Sequence, residues 1–118
     1  MTIASTQESL HRLRSLFLEL PGVTERISHG EPAWFGKKQL ATFADHHHDD
    51  RVAFHAAAPD GEQERWIAAD PTRFFRPPYV GGRGWIGVYL DVEQDWADIA
   101  DIVDGAYSVI ARSRRGAG

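Results

Sequence analysis

Gly82-Arg83-Gly84-Trp85-Ile86-Gly87-Val88-Tyr89-Leu90-Asp91 can be read in two ways, and the two lead to different folds. Gly82, Gly84 and Gly87 match G-x-G-x-x-G, the motif that cradles a dinucleotide pyrophosphate. That chemistry needs a strand before the glycines and a helix after them, so that the helix N-terminus meets the phosphates. Here the order is inverted. A loop comes first, and 85–90 is dense in aromatic and β-branched residues, which predicts a strand. The stretch reads as a turn feeding a strand, with Gly84 and Gly87 allowing close backbone approach.

Downstream, Asp91 ends the strand and a helix is predicted from near Asp95. Trp96, Ile99, Ile102, Val103, Ala106, Tyr107 and Ile110 make its apolar stripe. Asp95 reads as the cap, and Asp98 and Asp101 fall off the stripe, on a solvated face. Arg112, Arg114 and Arg115 complement the dipole at its end.

Upstream, Asp70-Pro71 reads as a short helix start carrying Phe74 and Phe75, ended by Pro77-Pro78. Asp60 and Gln63 have capping-box spacing ahead of another short helix, whose buried side is Trp66 and Ile67. Strands are predicted at 25–29, 33–35, 38–44 and 51–57. In the last, Val52, Phe54 and Ala56 alternate with Ala53, His55 and Ala57, as in a strand with one covered face. Ser5 and Glu8 form a capping box, and Leu10, Leu13, Leu16, Phe17 and Leu20 stripe the first helix up to Pro21-Gly22. Strands and helices do not alternate regularly. The expected fold is therefore α+β: one domain over 1–118, an antiparallel sheet with an N-terminal and a C-terminal helix.

A chain of 118 residues with 42% hydrophobic residues can build a core without staples. The absence of cysteine excludes disulfides, thiolate metal sites and a cysteine nucleophile. No signal peptide or membrane span is read, so the cytoplasm is the expected location. A net charge of −4 disfavours nucleic acid unless the cations gather on one face.

His46-His47-His48-Asp49-Asp50 invites a metal reading, but neighbouring side chains on an extended chain diverge, so a polar hairpin loop is expected, with no metal and no cofactor. Ser28 beside His29 does not make a triad, and His55 reads as a packed sheet residue. The long stretch 74–84 mixes aromatics, arginines and glycines, a composition suited to binding. Trp34, Phe74, Phe75, Tyr79 and Trp85 are the candidate ligand-pocket residues, and Lys37, Lys38, Arg73, Arg76 and Arg83 the candidate DNA contacts.

Segments spread over most of the chain resemble the YjbR/MmcQ family of small bacterial proteins. Leu20-Pro21-Gly22-Val23-Thr24-Glu25 followed by His29-Gly30-Glu31-Pro32-Ala33-Trp34-Phe35 resembles the family's opening. So do 38–43, Ala58-Pro59-Asp60-Gly61, Ala69-Asp70-Pro71-Thr72-Arg73-Phe74-Phe75-Arg76-Pro77-Pro78-Tyr79-Val80-Gly81, Gly84 to Asp91, Asp95-Trp96 and Ala106-Tyr107. The resemblance implies a double-wing-like antiparallel sheet with flanking helices. It implies either DNA binding or the binding and sequestration of a small molecule, and no catalytic residues. Three expectations follow. The first is a DNA-binding module whose wing meets a groove; the second is an aromatic pocket for a small planar ligand; the third is a homodimer joined at a sheet edge. An enzyme is not expected.

Overall fold

The computed structural model describes residues 4–46 and 49–116, with side chains through Ile110. His47 and His48 of the polar loop lie outside the described residues. The order of elements is α1 (Thr6–Leu18), β1 (Thr24–Ser28), β2 (Glu31–Phe35), β3 (Gln39–Asp45), β4 (Val52–Ala56), α2 (Glu62–Ala69), β5 (Phe74–Phe75), a 3-10 turn (Val80–Arg83), β6 (Ile86–Tyr89) and α3 (Trp96–Gly116). The strands make one antiparallel sheet in the order β1-β2-β3-β4-β6-β5. The α+β expectation holds. No helix among the described residues is long and apolar enough to cross a membrane.

The capping box at α1 forms in both directions: Ser5 Oγ accepts from the Glu8 amide and Glu8 Oε1 from the Ser5 amide. Asp95 caps α3, accepting from the Ala97 amide at 2.9 Å. Because side chains alternate across a strand, the register assigns the two sheet faces. Trp34, Ala41, Ala56 and Ile86 share one face, as do Phe43, Phe54, Val88 and Phe74. The helices pack on this face. Phe17 of α1 stacks on Trp34 at 4.8 Å and meets Phe54 edge-on, and Trp66 of α2 packs on Phe74 at 5.1 Å. Leu13, Phe17, Ile99, Val103 and Ala106 are essentially inaccessible in this core.

Four expectations give way. Asp60 and Gln63 make no capping box: Gly61 caps α2 with φ +84°, and Gln63 turns inward. Asp70-Pro71 starts a turn, closed by Thr72 donating to Asp70 Oδ1, because Phe74 and Phe75 are drawn into pairing with β6. Strand β4 is buried along its whole length, since it lies inside the sheet and both its faces are covered. Asp98 is not merely solvated, because Arg73 reaches across to it.

Candidate functional site

Among the described residues no α-helix packs on the second face of the sheet, which the segment Pro78–Trp85 covers in part. Its register row runs Arg26, Ala33, Thr42, His55, Gly87 and Phe75 from strand to strand, with the Ser28–Glu31 pair on the same face. Small side chains at 42 and 44 leave a hollow between two taller walls. One wall is the β1–β2 hairpin at Ser28, His29 and Glu31; the other is the segment Pro78–Trp85. The groove measures about 610 Å³, within the range of small-molecule sites. His55 lies on its floor, edge-on to Phe75 at 5.7 Å, and is largely buried.

The second wall is held by side chains from elsewhere. The Gln63 amide, on α2, donates to Gly81 O at 2.9 Å and to Trp85 O at 2.6 Å. Within that wall Val80 N donates to Pro78 O at 2.7 Å across Tyr79, whose φ and ψ are +67° and −63°. This is a γ-turn of the rare, strained hand. It thrusts the Tyr79 side chain, 85% exposed, out at the groove's edge. Strain of this kind persists only where surroundings enforce it, and it concentrates at ligand-contacting positions.

The charged groups divide between the ends of the sheet. Antiparallel pairing places the β2–β3 turn with Lys37 and Lys38 at the end where β6 begins and Arg83 precedes it. The β3–β4 hairpin, with Asp45, Asp49 and Asp50, lies at the opposite end beside Glu31, whose Oε2 accepts from the Asp45 amide at 2.9 Å. There the His46 ring donates to the Asp45 carboxylate, which holds His46 above its ordinary pKa.

A family model described as YjbR matches residues 18–109. The chain belongs to the YjbR family. Among solved structures it is similar to the crystal structure of Deinococcus radiodurans protein DR2400, described by the domain DUF419. The two are 17% identical with a TM-score of 0.73, covering 86% of this chain and 77% of that one. At that identity the likeness speaks for the fold. No curated protein shows a significant match.

In this YjbR-family chain the sequence candidates separate. Tyr79 and Trp85 reach the groove, and Phe75 lies beside it, stacked on Tyr89 at 4.4 Å. Trp34 and Phe74 do not: both are core residues of the helix-covered face, and Trp34 Nε1 donates to Glu25 at 2.9 Å. Adjacent Phe74 and Phe75 must point to opposite faces, so composition alone could not place both in one pocket. Of the cations, Arg83 lines the groove and lies over Trp85 at 5.4 Å. Arg76 lies along the glycine turn, its Cγ 2.7 Å from where a β carbon of Gly81 would sit. Arg73 is engaged elsewhere, with Asp70 at 3.0 Å, Asp98 at 3.2 Å and Gln94 at 3.3 Å. The residues missed in the sequence are Glu31, Gln39, Thr42 and His55, each on a short strand. Single polar side chains inside otherwise apolar runs, Thr42 in 40–44 and His55 in 52–56, were the available signal.

Proposed function

We propose that this YjbR-family chain is a binding protein rather than an enzyme, and that the groove on the second sheet face takes a small planar ligand. The observation that carries this reading is the strained, outward Tyr79 at the edge of a groove of about 610 Å³ whose opposite lining is polar. Tyr79 and Trp85 supply aromatic surface, while Thr42 and Gln39 supply hydrogen-bonding atoms. Calorimetric titration with a panel of bicyclic aromatic acids, amines and alcohols tests it, with amide and side-chain NMR shifts mapping the site. Binding that shifts Thr42, His55 and Tyr79 together supports the groove. Binding by none of the panel removes the reading.

A second reading is nucleic-acid contact at the basic end of the sheet. It is favoured by Lys37, Lys38 and Arg83 sharing that end, none of them in an ion pair among the described residues. Arg73 plays no part, being clamped between Asp70 and Asp98. Fluorescence polarisation with duplex DNA should then show affinity falling steeply with salt. Affinity indifferent to salt would end this reading.

A further inference from the structure

The two walls of the groove carry opposite charges. Glu31 stands in one wall, its Oε2 fixed by the Asp45 amide and its Oε1 without a partner among the described residues. Asp45, Asp49 and Asp50 lie at the same end of the sheet. Arg83 stands in the other wall, with Lys37 and Lys38 at that end. Between them lie the aromatic faces of Tyr79 and Trp85 and the small floor residues Thr42 and Ala44.

We infer that the groove selects a bipolar aromatic ligand: a flat ring system with an ammonium or other donor group at one end and a carboxylate or other acid at the other. This rests on the ligand-binding reading above and adds its polarity. The ammonium meets Glu31, and the acid meets the Arg83 guanidinium, which also faces Trp85. The ring lies against Tyr79, whose backbone the turn Pro78–Val80 already fixes, so the main chain there needs no reordering on binding. The fixed carboxylate and the arginine are far apart in the chain, on β2 and before β6, so their sharing one groove is a tertiary feature.

The test is calorimetric titration of the purified chain with 6-(aminomethyl)-2-naphthoate and its relatives carrying the amine alone, the carboxylate alone, or a neutral hydroxymethyl group. The bipolar compound should bind about tenfold more tightly than either singly charged one. Glu31→Gln should erase the gain from the amine only, and Arg83→Gln the gain from the carboxylate only. Gln at 31 still accepts from the Asp45 amide, so the hairpin is preserved. Equal affinity for all the compounds, or variants that leave the ranking unchanged, would overturn the polarity while leaving the ligand-binding reading intact. Failure of every compound, the neutral one included, would overturn both.

Discussion

The Phe75 ring lies over the backbone of Gly87 across the β5–β6 pair, so close that a β carbon at position 87 would overlap it. The same ring stacks on Tyr89 and meets His55 edge-on, so Gly87 sets the height of the aromatic layer beside the groove floor. Gly87→Ala should therefore displace Phe75 and cost about 1–3 kcal/mol, read from urea unfolding. The displacement should also move the NMR signals of His55. An unchanged midpoint would mean that Phe75 relaxes without resistance.

Gln63 holds the groove wall from behind through two donated hydrogen bonds to carbonyls of 81 and 85. Replacing it with Leu leaves both carbonyls without that donor, at a cost of about 2 kcal/mol. Gln63→Glu should be worse at neutral pH, because a carboxylate then faces two carbonyl oxygens. Thermal unfolding ranks the three proteins, and the order wild type, Leu, Glu is the expected result.

Tyr79 occupies a backbone conformation that glycine adopts without strain. Tyr79→Gly should leave stability unchanged or raise it by up to about 1 kcal/mol, while weakening binding of a planar ligand. Tyr79→Ala retains the strain and loses the ring, so it should weaken binding without the stability gain. A substantially destabilised glycine variant would show that the ring, rather than the turn, holds the wall.

Acid should loosen the fold at two clamps. Hydrogen bonds from the Arg14 guanidinium hold Glu25 below its ordinary pKa, and those from Arg51 do the same for Asp91. A carboxylate lowered on folding stabilises the fold above its unfolded-state value, near about 4.3 for Glu and 3.9 for Asp. That stability is lost as pH falls through the lower folded-state value. Glu25→Gln should cost about 1–2 kcal/mol at neutral pH, and the gap to wild type should close below about pH 4. Denaturant midpoints measured from pH 7 to pH 2 check this, and a gap constant with pH would contradict it.

Arg73 ties the start of α3 to the turn before β5, contacting Asp70, Asp98 and Gln94. Arg73→Ala should lower stability by about 1–2 kcal/mol without altering any affinity for DNA. The double change Lys37→Ala with Lys38→Ala should do the reverse: little effect on the melting temperature, and a shallower salt dependence of any DNA affinity by about two units of slope. Equal effects of both variants on DNA would undo the distinction drawn between these cations.

Much of this architecture was legible before any coordinates. Ser5 with Glu8, Asp95 as the cap of α3, and the apolar stripes of α1 and α3 are local signals, and each appears where the spacing puts it. The strand at 86–89 and the rejection of a dinucleotide loop followed from residue type alone. The site was only half legible. Tyr79, Trp85 and Arg83 could be named from an unusual loop, but the floor they face could not. Which side of the sheet a residue joins depends on register, and a one-position difference sends Phe74 to the core and Phe75 to the open face. Arg73 finds Asp98 twenty-five positions away because β5 pairs with β6 and delivers it there. Short-range propensity writes helices, caps and turns into the chain; long-range pairing assigns faces and partners, because those contacts exist only once distant segments share a sheet.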